Sequence, residues 1–253
     1  MMTRSSRHQA LAAETLGDSD TGVLIIDGCD FPKQGTHSVG VARQWCRALG
    51  KVANCQASVL ACYASAKDYT LVDRRLYLPE RWFTEDFRPQ RRACGVPVDA
   101  VFQTRPALAV AMIAALRERG ALPFRWVLGD ESFGVSTAFL DRVADLGLGY
   151  FAEVPHDTRV WLHRPRTAVP PPKKHGRPTH RPCVAPGERA TLRVDALAAA
   201  LPSHAWRRWS ILEGTAARSS PNSPSSAPSP CATACRDRRC GSSCGAGGTT
   251  GRN

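Results

Sequence analysis

Two apolar segments that each lead into an aspartate constrain the fold of this chain most strongly. GVLIIDGCDFPKQG (residues 22–35) reaches Asp27, and FRWVLGDESFG (residues 124–134) reaches Asp130. Each has the pattern of a buried strand that delivers a carboxylate at its end. Because the two aspartates are distant in the chain, they can meet only if one sheet contains both strands. An aspartate also commonly opens a turn after a strand, and the pattern leaves this alternative open for each.

The charge of the chain favours a polyanionic partner. Its 253 residues carry a formal net charge of +12, which attracts nucleic acid without specifying a sequence. No apolar run approaches the roughly 20 residues that cross a bilayer, and the first residues lack the apolar core of a signal peptide. We therefore expect a cytoplasmic protein with no membrane partner. In that compartment the cysteines are expected to be free thiols, packed as small hydrophobic side chains at Cys29, Cys46, Cys55, Cys62 and Cys94.

The sequence between and after the two aspartates predicts an α/β fold. Residues 36–78 contain three runs typical of strands, separated by polar or glycine-containing turns. Residues 107–119 have helix-forming composition and are followed by Gly120, and a second helix is predicted after Ser136 or Thr137. Strands followed by alternating helices and strands favour a sheet flanked by helices.

The last third of the chain changes composition twice. Residues 164–193 are rich in proline and basic residues, which predicts a loop. Its Lys173, Lys174 and Arg177 are candidates for contacts along a DNA backbone, and a solvated basic loop is the alternative. From residue 213 onward no aliphatic residue larger than alanine and no aromatic residue occurs, so we expect a disordered tail. Its four cysteines have a spacing that a zinc site could use, but a shift of reading frame near residues 213–215 explains the composition better.

Six blocks in order carry a resemblance to a known family. They are DGCDFPKQG, HSVGVARQWC, GKVANCQASV, RLYLPERW, GVPVDAVFQTRP and VLGDESFG. The chain from about residue 22 to about residue 209 resembles insertion-sequence transposases of the DDE superfamily. The closest type is the one within the IS-four group named IS seven-hundred-and-one.

The resemblance implies an RNase H-like fold with a mixed sheet, in which acidic residues bind two divalent ions and cut DNA at transposon ends. The first two acids of that family correspond to Asp27 and Asp130. Hard carboxylate oxygens suit Mg²⁺ or Mn²⁺, and two such ions can promote phosphoryl transfer without a covalent enzyme intermediate. Lys33 and Arg43 match patterned positions of the family and are expected to contact phosphate. A solvated turn lysine and a cross-strand charge are the respective alternatives.

The third acid of the family, a glutamate on a late helix, has no evident counterpart. Glu153 comes early in the order and Glu213 lies at the change of composition. Asp30 and Glu131 stand next to the two aspartates and are candidates for supporting or replacing them. The sequence therefore favours a transposase fragment that lacks a complete catalytic set. A non-catalytic DNA-binding remnant and an unrelated α/β protein remain as alternatives.

The expected organisation follows from these assignments. Residues 1–20 would be a flexible remnant of a longer N-terminal region, and residues 21–163 a partial catalytic core. Residues 164–212 would form the basic loop and the start of a β-rich insertion, and residues 213–253 an out-of-frame tail. The oligomeric state stays open, and a homo-oligomer is among the possibilities.

Overall fold

The computed structural model describes residues 4–163, 165–170 and 182–206. The chain divides into two compact units, Met1–Val154 and Pro155–Asn253. This division falls earlier than the end of the predicted catalytic core at residue 163. The predicted tail and residues 171–181 of the predicted basic loop lie outside the described residues, and so do Lys173, Lys174 and Arg177.

A mixed sheet forms the centre of the first unit. Within the described residues it has six strands: β1 (Val23–Pro32), β2 (Ala42–Cys46), β3 (Lys51–Ala64), β4 (Tyr69–Tyr77), β5 (Trp126–Gly129) and β6 (Gly149–Ala152). Strand β3 pairs antiparallel with β1, β2 and β4, whereas β5 pairs parallel with both β1 and β6. The predicted mixed α/β architecture is confirmed, and it places β1 and β5 side by side.

Five helices accompany this sheet in the described part of the first unit. They are α1 (Arg4–Leu16), α2 (Arg88–Ala93), α3 (Arg105–Arg119), α4 (Glu131–Gly134) and α5 (Thr137–Asp145), with 3-10 turns at Arg47–Leu49, Glu80–Phe83 and Glu85–Phe87. Helix α3 begins where the Thr104 hydroxyl accepts the N–H of Ala107 and ends at Gly120, whose φ of +64° suits glycine. Its Met112 and Ile113 are fully buried in the core that also contains Leu24 and Ile26 of β1. Burial of alternate β1 residues fixes which face of that strand meets the helices.

The N-terminal segment differs from our expectation. We predicted a flexible remnant at residues 1–20, whereas α1 occupies most of this segment and buries Gln9 and Ala12. The Gln9 amide donates to the Val72 carbonyl at 2.9 Å, and Arg119 donates to Gln9 Oε1 at 2.7 Å. These partners lie far away in the sequence, so local composition does not reveal that the helix is anchored.

The cysteines of the described residues are free thiols, as predicted. Cys46 and Cys55 are buried, while Cys29, Cys62 and Cys94 are partly exposed. Burial is the main reason why the pKa of the Cys55 thiol is raised to about 11, and the neighbouring Cys46 adds to it. Cys55 therefore stays protonated at neutral pH and packs as a small apolar group.

The described part of the second unit consists of short elements. Strands β7 (Arg159–Val160) and β10 (Leu192–Arg193) pair antiparallel, as do β8 (Thr167–Ala168) and β9 (Cys183–Val184). Helix α6 (Val194–Ala200) follows β10 directly, and a 3-10 turn covers Ser203–Ala205. The start of a β-rich insertion in this region stays a prediction.

Candidate active site

Asp27 lies within β1 and not at its end, which corrects the sequence prediction. The strand continues to Pro32 because residues 27–32 pair with β3 from Leu60 to Cys55. The parallel pairing with β5, however, stops at Ile26 and Gly129. Asp27 is therefore the first residue beyond the parallel ladder, at the edge where open α/β sheets commonly bind ligands.

Asp130 follows β5 directly, as the sequence predicts. Its side chain accepts the backbone N–H of Ser132 at 3.0 Å and thereby caps the first turn of α4. The Ser132 hydroxyl also donates to the same carboxylate oxygen, at 2.6 Å. Two local hydrogen bonds thus fix the Asp130 side chain beside the point where Asp27 leaves the parallel ladder.

A single guanidinium joins the two aspartates. Arg47 Nη2 lies 2.6 Å from Asp130 Oδ2, and Arg47 Nη1 lies 3.3 Å from Asp27 Oδ1. The fold therefore brings together two carboxylates that are far apart in sequence and places a positive charge between them. Arg47 was missed by sequence reasoning, because an isolated arginine after a strand has no local pattern that indicates a tertiary ion pair.

Asp30 holds Arg47 in place. Its side chain is only 2% exposed and accepts the backbone N–H of Arg47 at 2.9 Å. The other carboxylate oxygen accepts from Arg105 Nη2 at 3.2 Å, and Arg105 also lies over the Tyr77 ring. Asp30 therefore has a positioning role in this geometry, since both of its oxygens are already used.

The electrostatic environment keeps the Asp130–Arg47 pair charged. Partial burial by itself would raise the pKa of Asp130, but hydrogen bonds from Ser132 and the charge of Arg47 outweigh it and lower that pKa below its ordinary value. The hydrogen bond to Asp130 is in turn the main reason why the pKa of Arg47 is raised. At neutral pH the site thus contains an ionised carboxylate beside a protonated guanidinium.

The two predicted DNA contacts of the first unit lie next to each other on the surface. Lys33 and Arg43 are both exposed. The Lys33 backbone N–H donates to the Asn54 carbonyl at 2.9 Å, and Arg43 is the cross-strand partner of Asn54. Asn54 therefore connects the turn that carries Lys33 to the strand that carries Arg43.

Glu153 lies at the same edge of the sheet as Asp130. Strand β6 ends at Ala152, opposite Gly129, and the Glu153 N–H donates to the Gly129 carbonyl at 3.0 Å. Although Glu153 comes early in the sequence order, it therefore lies in the neighbourhood of the site. Its side chain and that of Glu131 are exposed, and Glu213 lies outside the described residues.

The residues present fit a divalent cation. Carboxylate oxygens are the ligands that Mg²⁺ and Mn²⁺ prefer, and Asp27 and Asp130 already converge on one positive group. In the described ranges, no cluster of three or more His, Cys, Asp or Glu residues has a metal-binding arrangement. The pair can therefore contribute two protein ligands, and the other coordination positions would be left to water or substrate.

Comparison with known proteins identifies the family. The family model described as DDE superfamily endonuclease matches residues 5–218. The chain belongs to the DDE superfamily endonucleases. No curated protein matches this chain, and no solved structure does either.

Endonucleases of this superfamily act on DNA and generally use divalent metals. The mixed sheet flanked by helices is consistent with the RNase H-like fold of the superfamily. None of the helices within the described ranges is long and apolar enough to cross a membrane.

Proposed function

We propose that this protein derives from an insertion-sequence transposase and that Asp27 and Asp130 form its site of DNA strand cleavage. The observation that carries the proposal is the convergence of these two carboxylates on one guanidinium, at the edge of the sheet where β1 and β5 part. Divalent ions held there, Mg²⁺ or Mn²⁺, would activate the attacking water or 3′-hydroxyl and stabilise the leaving oxygen of the phosphodiester.

The protein's own residues have distinct roles in this proposal. Asp27 and Asp130 supply the ligand oxygens, and Ser132 keeps Asp130 oriented and ionised. Arg47 offsets the repulsion between the two carboxylates, and its planar donors are also suited to a phosphate oxygen. Lys33 and Arg43 would contact the DNA backbone, as would Lys173, Lys174 and Arg177.

We also propose that the catalytic set is incomplete. The resemblance places the third acid on a late helix, and the candidates considered for it are Glu153 and Glu213. The family match ends at residue 218, close to the loss of aliphatic residues after Leu212, which supports a change of reading frame there. An enzyme of this kind would bind metal and nick DNA weakly without completing transposition.

A second candidate function is DNA binding without cleavage. What favours it is Arg47, because a protein cation that satisfies both carboxylates reduces their attraction for a metal ion. Under this alternative the basic surface would occupy transposon ends, and the aspartates would serve to position Arg47.

Nicking of supercoiled plasmid separates the two functions. We expect weak Mn²⁺-dependent nicking by the wild type, and loss of that nicking in Asp27→Ala because a ligand is removed. Salt-sensitive DNA binding without any nicking would support the second function. Nicking by Asp27→Ala at the wild-type rate would refute the two-aspartate site. Circular dichroism of both proteins checks that the variant is folded.

A further inference from the structure

The outward face of the hairpin formed by β2 and β3 carries an unusual aromatic residue. Trp45 is 57% exposed, and its cross-strand partner Val52 is also exposed. The alternate β2 residues Ala42 and Cys46 are buried, so the strand is firmly packed on its other side. A tryptophan on a rigid strand therefore presents its side chain to solvent, at a place where nothing in the described residues requires it for the core.

The surroundings of Trp45 are basic. Arg43 precedes it on the same face of β2, and Arg47 begins the 3-10 turn that directly follows the strand. No aspartate or glutamate occurs from residue 31 to residue 67. An exposed aromatic side chain flanked in sequence by two arginines resembles the way in which proteins bind unpaired nucleic-acid strands, by stacking on bases and attracting phosphates. The charge of this surface thus favours a polyanion over a neutral protein partner.

The same face leads to the candidate active site. The Arg47 guanidinium contacts Asp27 and Asp130. A DNA strand that extends from Trp45 to Arg47 would therefore reach the two carboxylates. In the other direction, Arg43 lines a cleft of about 280 Å³ together with Arg81 and Phe87. The face therefore offers basic groups on both sides of the ring, which suits an extended ligand such as a DNA strand.

We propose that Trp45 is a stacking platform for unpaired DNA next to the cleavage site. Arg43 and Arg47 bind the phosphates on either side, and the indole ring stacks on an exposed base. The inference rests on the proposed function, because it places the DNA strand relative to Asp27 and Asp130. It adds a preference that those aspartates do not supply, namely a preference for a duplex end with unpaired bases over a blunt duplex.

Binding of two DNA probes by the full chain tests the platform. One probe is a short duplex with an unpaired overhang that contains 2-aminopurine, and the other is the same duplex with a blunt end. We expect the wild type to bind the overhang more tightly and to change its 2-aminopurine fluorescence. Trp45→Leu should weaken overhang binding by roughly five- to 150-fold and bring it to the blunt-end level. Trp45→Phe should keep most of the preference, since a ring is retained.

Controls separate stacking from charge and from folding. Trp126→Ala removes a tryptophan of similar exposure (48%) at the opposite end of β5 from Asp130, and it should leave the preference unchanged. Trp45→Leu should leave the dependence of affinity on salt unchanged, whereas Arg43→Ala should make that dependence shallower. Thermal unfolding verifies that each variant is folded.

Four outcomes separate the stacking role of Trp45 from its alternatives and from the proposed cleavage function. An overhang preference that persists in Trp45→Leu refutes it and leaves the proposed cleavage function intact. A change in sedimentation mass of Trp45→Leu with unaltered DNA affinity would show that this face joins two copies of the chain instead. Failure of the wild type to bind either probe would refute both the platform and the proposed function. Overhang preference in a wild type that never nicks DNA would support the platform and refute cleavage.

Discussion

Replacement of Arg47 by alanine should strengthen the binding of divalent metal. Arg47 forms ion pairs of 2.6 Å with Asp130 and 3.3 Å with Asp27, so a metal ion must compete with it for both carboxylates. Alanine changes the formal charge of this three-residue cluster from −1 to −2. The backbone N–H of residue 47 can still bond to Asp30, which preserves the local chain path.

The size of the effect follows from the exposure of the two ion pairs. The Asp27 pair is largely exposed, and the Asp130 carboxylate is the more buried of the two. Solvent-screened ion pairs are worth about 0.2–1 kcal/mol each, so release of both corresponds to at most about 2 kcal/mol. The dissociation constant for Mn²⁺ should therefore fall, by up to about 30-fold at low salt. The difference should shrink as sodium chloride screens the wild-type pairs.

Titration calorimetry with Mn²⁺ at neutral pH measures this change. Arg142→Ala is a matched control, because Arg142 forms an exposed ion pair with Asp145 on α5 and should not affect the metal. Equal or weaker Mn²⁺ binding by Arg47→Ala, in a variant that unfolds like the wild type, would refute the competition between Arg47 and the metal.

Two further predictions concern stability. Contacts with Ser132 and Arg47 lower the pKa of Asp130 in the folded protein, so they stabilise the fold when this carboxylate is ionised. This stability is fully present above the unfolded-state pKa of about 3.9, and it is lost as the pH falls through the lower folded-state pKa. In urea unfolding between pH 6 and pH 3, the wild type should therefore lose more free energy of unfolding than Asp130→Asn, and parallel curves would contradict this. Gly134→Ala should destabilise the first unit by about 1–3 kcal/mol, because the new Cβ would overlap with the Glu153 carbonyl oxygen. Gly35→Ala, which meets nothing within 4 Å, should leave the thermal midpoint nearly unchanged, and equal midpoints for the two variants would refute the close packing of α4 on residue 153.

The sequence was sufficient to predict the elements whose ends depend on local patterns. Helix α3 has helix-forming composition and is followed by a glycine, so its ends were predicted within two residues. The same holds for Asp130, which follows a short apolar strand and caps the next helix. Asp27 was assigned to a strand end because the apolar run stops there. The strand continues because β3 supplies an antiparallel partner as far as Pro32, which local composition does not indicate.

The contacts that organise the site depend on tertiary structure. Arg47, Asp30 and Arg105 belong to three different elements, and their ion pairs and hydrogen bonds join residues up to 83 positions apart. No periodicity or spacing encodes such contacts. Glu153 illustrates the same limit, because its place beside Gly129 follows from the parallel pairing of β5 and β6 and not from its order in the chain.

The central claim is that Asp27 and Asp130 form one metal site, and Mn²⁺ binding to their asparagine variants tests it most directly. Electron paramagnetic resonance of free Mn²⁺ should show binding by the wild type and its loss in both Asp27→Asn and Asp130→Asn, because each removes one ligand of a shared site. Asparagine is nearly isosteric with aspartate, so both variants should keep the far-UV circular dichroism of the wild type. Wild-type Mn²⁺ affinity in either folded variant would contradict the claim.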